Sequence, residues 1–330
     1  MASASPLKAL LEFLRDSTLR VGLPVPLPME EIYSWALPLR LPRMGSVILY
    51  TGALYQLMPY IESLTRYLSA LEGSRVSDTL LRLARILIAT PKLTRTLLAP
   101  EPARVERARR ILTNISRLLS SSGVAHAYPY EDDLYSGVLL YDLGLDDAFA
   151  EVAGRVYRKL KEHGASTVIT VDPHTTNILR NVYPSYVDGF DLEVVNYLEV
   201  LSRAAEESRI RLRGLVSEAV IHDPCFYARY LHIIDEPRKI LERSGVKVLE
   251  PRRSREATYC CGGPVESVAP RLASKIAETR LKELAEKSKN VVVLCPICYT
   301  NLSRANKLGL RILDIAEVVE AEVPGSGSPQ

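Results

Sequence analysis

The chain of 330 residues is long enough for two domains of ordinary size. Its 47% hydrophobic and 25% charged residues are those of a soluble globular protein, and a net charge of +3 is too small to indicate nucleic acid as a partner. No apolar run approaches the roughly 20 residues needed to span a bilayer. Residues 1–20 lack the order of a secretory signal, so a cytoplasmic protein with no transmembrane segment is expected.

Leu7, Leu10, Leu11 and Leu14 fall at helical spacing with Lys8, Glu12 and Arg15 between them, which predicts an N-terminal amphipathic helix. Pro24, Pro26 and Pro28 then interrupt regular structure, and a short helical piece surrounds Trp35. Residues 1–45 are thus read as a helical, proline-rich segment. Val47–Tyr50 is a short apolar run that suits a buried strand.

A helical region is expected from Met58 to Leu119, broken at Gly73, Pro91, Pro100 and Pro102. Within it Leu80, Leu81, Leu83, Ile86 and Leu87 alternate with Arg82 and Arg85, the pattern of a helix packed on its own domain. A helix over Leu145–Glu162 leads to the β-branched strand Thr167–Val171, and a helix over Pro270–Ser288 leads to the strand Val291–Leu294. Such alternation predicts an α/β protein with parallel sheets. Pro324–Gln330 reads as a flexible tail.

All five cysteines lie in the last third: Cys225, the pair Cys260–Cys261, and Cys295 with Cys298. Near-equal gaps separate the three groups. Five soft ligands brought by three loops suit zinc or an iron–sulfur cluster. Zinc takes four ligands and would leave one thiolate over. An odd count also argues against a simple disulfide framework. A disulfide oxidoreductase working through Cys295 and Cys298 alone would leave three cysteines unexplained.

The two halves share landmarks in the same order. Ile48–Tyr55 matches Val220–Tyr227, with Ala53 opposite Cys225. Tyr135, Ser136 and Gly137 fall opposite Cys260, Cys261 and Gly262. Asp172-Pro-His-Thr175 falls opposite Cys295-Pro-Ile-Cys298, and Glu193–Leu201 opposite Arg311–Val319. This pattern predicts an internal duplication whose first copy has lost its thiolates. Ala53, Tyr135, Ser136, Asp172 and Thr175 are then expected to lie together without iron.

The segment His222-Asp-Pro-Cys225, with Glu236-Pro-Arg238, Cys260-Cys-Gly262 and Cys295-Pro-Ile-Cys298, resembles the cysteine-rich CCG domain. That domain occurs in the catalytic subunit of heterodisulfide reductase and in related iron–sulfur oxidoreductase subunits. The resemblance covers about residues 45–320. It implies two duplicated, Rossmann-like CCG-type domains: a degenerate copy at 46–205 with a helical insertion at about 58–119, and a cluster-binding copy at 215–322, followed by a tail at 323–330.

The resemblance further implies one [4Fe-4S] cluster, in cubane or non-cubane form, on Cys225, Cys260, Cys261, Cys295 and Cys298. The alternative is zinc in an assembly scaffold without electron transfer. Neither the four-cysteine motifs of a ferredoxin module nor a nicotinamide or flavin fingerprint occurs in this chain. A subunit of an oxidoreductase complex is therefore expected, working with other redox subunits such as a ferredoxin-like or flavoprotein donor.

Around these residues, His222 is read as a packed strand residue able to hydrogen-bond to the site, and His174 as solvated. Arg229, Arg238, Arg252, Arg253 and Arg255 flank the ligand loops and could offset negative charge or dock an acidic donor. Tyr227 and Tyr259 are read as shielding aromatics.

Overall fold

The computed structural model describes residues 6–70, 87, 89–266 and 269–322. Gly73, most of the Leu80–Leu87 stretch and the Pro324–Gln330 tail lie outside the described residues. The chain divides into two compact units. The first comprises Met1–Arg109, Ala127–Val168 and Ile178–Val194; the second comprises Arg110–His126, Ile169–Asn177 and Val195–Gln330.

The chain opens with α1 (Pro6–Val21), α2 (Glu30–Tyr33) and a 3-10 turn over Ser34–Leu39 that buries Trp35. Strand β1 (Val47–Tyr50) lies where the apolar run predicts it. Helices α3 (Leu54–Ala70), α4 (Pro91–Leu98) and α5 (Pro102–Ser121) follow. Pro91 and Pro102 each open a helix, where the missing N–H costs nothing. Helix α5 buries Ile111, Leu112, Ile115, Leu118 and Leu119 at a 3.6-residue period.

After α6 (Val138–Asp142), α7 (Asp146–Glu162) carries Asp146 and Asp147 in its first turn and Lys159 and Lys161 in its last. That charge order complements the helix dipole. Strand β2 (Thr167–Thr170) leads into the short α8 (Pro173–Asn177), and β3 (Glu193–Asn196) into α9 (Tyr197–Glu206). The first sheet runs β1-β2-β3, and Ile48 adds a parallel bridge to Ala127.

The second sheet lies wholly in the second unit. It comprises β5 (Glu218–His222), β6 (Lys247–Leu249), β7 (Asn290–Val293) and β8 (Arg311–Asp314) in the order β6-β5-β7-β8. All three pairings are parallel. Its inner strands are buried almost end to end, as parallel strands covered on both faces must be. The connecting helices are α10 (Asp235–Arg243), α11 (Pro270–Ala285) and α12 (Pro296–Ala305). From β5 the chain steps outward to β6, then returns past β5 to β7.

One element departs from the parallel expectation. Strand β4 (Leu212–Gly214) pairs antiparallel with β9 (Val319–Ala321). Three-residue strands are too short to show a periodicity in sequence. No helix among the described residues is long and apolar enough to cross a membrane.

Candidate metal centre

The chain's reversal between β6 and β7 makes β5 and β7 adjacent strands whose continuations diverge. Loops leaving the carboxyl ends of such strands open a crevice suited to ligands. His222, the last residue of β5, lies in register with Val293, the last of β7. Cys225 follows the first of these strands and caps a one-turn π-helix over Phe226–Leu231. Cys295 follows the second and caps α12, whose first turn carries Cys298.

The Cys260–Cys261 pair arrives on the connection from β6. Gly262 turns that connection in the left-handed region, at φ +89°. A Cβ there would stand 2.5 Å from the Ala273 carbonyl oxygen of α11, and one on Gly263 would stand 2.5 Å from Ile297 Cγ2. Glycine is required at both positions for the pair to lie against α11 and α12.

All five cysteines are free thiols. They form one hydrogen-bonded chain, Cys225–Cys260–Cys261–Cys298–Cys295. Hydrogen bonds from Cys225 and then Cys261 hold the Cys260 thiol far below its ordinary pKa. Burial pushes the Cys295 thiol up, but hydrogen bonds from Cys298 and His174 outweigh it and hold Cys295 well below. Cys225 and Cys261, through their bonds to Cys260, and Cys298, through its bond to Cys261, are raised. The five sulfurs thus hold one another apart in pKa, Cys260 and Cys295 lowered and Cys225, Cys261 and Cys298 raised.

Asp223 ties two of the ligand loops together. Its carboxylate takes both terminal nitrogens of Arg238, at 2.8 and 3.0 Å, and the Arg255 amide at 2.8 Å. Its carbonyl accepts the Thr258 hydroxyl at 2.8 Å. Cys225 and Cys260 each lie two residues beyond a member of this group. The arginines flanking the loops are mostly structural. Arg238 is buried between Asp223 and Glu250, and Arg229 donates to the carbonyls of Glu256 and Thr258. Arg253 pairs with Glu283 and covers the Tyr259 ring at 3.8 Å, while Arg255 reaches Asp235. Only Arg252, with 78% of its side chain exposed, projects mainly into solvent.

Two histidines border the thiols. His222 is buried, and one of its ring nitrogens lies within 4.8 Å of the sulfurs of both Cys261 and Cys298. His174 corrects the solvated reading: it is 7% exposed, packs against the Phe226 ring with centroids 4.3 Å apart and planes tilted by 42°, and hydrogen-bonds Cys295. Strand β2 ends directly before its loop, and the neighbouring Asn196 fixes Tyr227 by donating to its hydroxyl at 2.8 Å.

The positions set opposite the cysteines are distributed between the units: Ala53, Tyr135 and Ser136 in the first, Asp172 and Thr175 in the second. Several share local geometry with their counterparts. Gly137 is left-handed at φ +82°, as Gly262 is. Asp172 accepts the Thr175 amide at 2.9 Å, as Cys295 accepts that of Cys298. Asn196 with Glu199 and Asp314 with Glu317 each form a capping box after β3 and β8. Ala53 differs from Cys225 in backbone, at φ +59° against −59°.

Sequence reasoning does not single out Arg280, Glu283 or Asp223. A signal for Arg280 exists: it falls on the same helical face as Ala273, Ala277, Leu281 and Leu284, so its charge is placed among core positions.

Residues 219–303 match the model of the CCG cysteine-rich domain. Over 230 residues the chain is 28% identical to the "Probable iron-sulfur-binding oxidoreductase FadF" of Bacillus subtilis, covering 67% of this chain and 32% of that protein. It is 26% identical over 230 residues to an EtfAB:quinone oxidoreductase of Syntrophomonas wolfei, covering 65% and 32%. With a subunit of the dihydromethanophenazine:CoB–CoM heterodisulfide reductase of Methanosarcina mazei it shares 28% identity over 216 residues, covering 62% and 53%. The chain thus spans between about a third and about half the length of these relatives.

Proposed function

We propose that this chain is an iron–sulfur redox subunit resembling heterodisulfide reductase, holding one [4Fe-4S] cluster for electron transfer or thiol/disulfide reduction within a complex. The observation that carries this reading is the single chain of five free thiols at the crevice between β5 and β7. Cys225, Cys260, Cys261, Cys295 and Cys298 would be the ligands. The donor set fits the group. Five soft sulfurs converge, two glycines keep Cβ atoms away from the pair, and a bound soft cation would displace protons from the thiols whose pKa is raised. The relatives named for iron–sulfur binding and heterodisulfide reduction support the same assignment.

When bound, such a cluster supplies one-electron transfer. The chain's own residues do the positioning. The Arg238–Asp223 pair fixes the Cys225 loop, and the helix α12 amides favour thiolate at Cys295. Cys225 and Cys260 are half-buried while the other three cysteines are buried, so exchange with a partner or substrate takes place on the Cys225 side. Tyr230, 60% exposed and stacked on Phe226, borders that side. A disulfide needs two electrons, so the donor would be another redox protein, ferredoxin-like or flavin-bearing. The membership of several relatives in multi-subunit enzymes fits that arrangement.

The domain reading belongs to the same proposal: a degenerate copy at 46–205 and a cluster-binding copy at 215–322. The order β1-β2-β3 parallels β5-β7-β8, and the shared left-handed glycines and capping boxes favour a duplication. Asp172, which takes the amide that a thiolate would take, supports the loss of ligands from the first copy.

Anaerobic purification followed by iron, sulfide and zinc analysis tests the assignment. About four irons per chain with a broad brown absorption is the expected result; colourless protein with one zinc would establish the scaffold alternative.

A further inference from the structure

Arg280 is fully buried on the inner face of α11. Its Nη1 donates to the Glu283 carboxylate at 2.9 Å and to the Arg253 carbonyl at 2.8 Å. Its Nε–H donates to Nδ1 of His222 at 3.0 Å. A guanidinium has five donors, no acceptor, and does not lose its proton in proteins. Nδ1 of His222 must therefore be the acceptor, and in the neutral ring the proton resides on Nε2. That nitrogen is buried, and no described residue accepts from it. The ring faces the Cys261 and Cys298 sulfurs.

We propose that Arg280 locks His222 in the Nε2–H tautomer, so that the imidazole serves the cysteine-bound group as a hydrogen-bond donor to sulfur and not as a metal ligand. A ligating histidine ordinarily turns its second nitrogen, as N–H, on a carboxylate or carbonyl, which leaves the first nitrogen's lone pair for the metal. Here the second nitrogen meets a cation, and the polarity of the ring is reversed. The three-residue set His222, Cys261 and Cys298, close enough to suggest a Cys2His metal site, is thereby reassigned: the sulfurs ligate and the imidazole donates. Hydrogen bonds to cluster sulfur favour the more electron-rich, reduced state and so raise the reduction potential. Arg280 and His222 act here as positioning residues. Their effect on potential rests on the cluster reading given above, whereas the tautomer does not.

Two measurements on the full chain decide the matter. The first is 15N NMR of the metal-free, reduced protein labelled at histidine, with the His222→Asn spectrum assigning the signals. The expected spectrum at about neutral pH shows a protonated Nε2 and a bare Nδ1; a protonated Nδ1 would overturn the proposal. The second is iron content and midpoint potential after cluster loading. His222→Leu is expected to keep the wild-type iron content with a lower potential. His222→Asn, whose amide N–H can still donate, is expected to remain nearer the wild type. Loss of iron in His222→Leu would make His222 a ligand, and an unchanged potential would remove the donor role. If the wild type takes up zinc and no iron, the cluster reading fails, while the NMR result still decides the tautomer.

Discussion

Arg238 grips the Asp223 carboxylate through both terminal nitrogens, with 5% and 2% of the two side chains exposed. The same aspartate anchors Arg255 and Thr258, so one buried pair positions both the Cys225 and the Cys260 loops. Arg238→Ala leaves Asp223 charged and buried without its partner. Such a break is expected to cost about 3–5 kcal/mol, read from urea denaturation of the metal-free protein. Arg238→Lys keeps the charge but not the two-pronged fit, and should recover only part of the loss. A loss below about 1 kcal/mol, the range of exposed pairs, would show that the pair does not hold the loops.

Gly262 and Gly137 share a left-handed backbone but differ in what surrounds them. A Cβ on Gly262 meets the Ala273 carbonyl at 2.5 Å, whereas one on Gly137 meets the Phe149 ring at 3.0 Å. Left-handed strain alone costs about 1–3 kcal/mol for a residue other than glycine. Gly137→Ala should show a loss of that size. Gly262→Ala should exceed it and also lower iron retention, because the main chain of α11 cannot move aside as a ring can. Equal losses in the two variants, measured by thermal denaturation and iron assay, would contradict this difference.

Burial raises Asp133 to about 6, although its oxygens accept the Thr51 and Gly52 amides at 3.1 Å each and the Tyr128 hydroxyl at 2.7 Å. The folded value lies above the unfolded one, so the native state holds this proton more tightly and stability falls as pH rises. The loss is absent below about pH 4 and complete above about pH 6, and amounts to about 3 kcal/mol. Asp133→Asn should lack it. The stability difference between variant and wild type is expected to shift in the variant's favour across that interval, and a constant difference would contradict the buried-acid account.

Cys225, Cys261 and Cys298 are held protonated in the metal-free pocket, so loading must expel protons. Affinity for metal is expected to rise with pH through the neutral range. Metal competition titrations at two pH values check this, and pH-independent affinity would show that the thiols are already ionised.

Much of this is legible in the residues. The runs at Val47, Thr167 and Val291 form β1, β2 and β7 because continuous β-branched segments bury both faces of a parallel strand. Pro91 and Pro102 read as punctuation, though as helix starts they do more than break the chain. The cysteine set is visible from spacing, and the thiols do meet. What escapes is carried by long-range contact: Arg238 and Asp223 are apart in sequence and meet through the tertiary fold. His174 reads as solvated because a loop after a strand is ordinarily wet, whereas here Phe226 covers it. The pairing of β4 with β9 joins strands more than a hundred residues apart, and neither is long enough to show a pattern.

The central claim is that the five thiols together hold an iron–sulfur cluster. Cys295→Ser tests it most directly when compared with wild type after identical anaerobic purification, by iron and sulfide content alongside the visible spectrum. The variant should be bleached and iron-poor beside a brown, iron-loaded wild type. Equal iron and sulfide in the two proteins would contradict the claim.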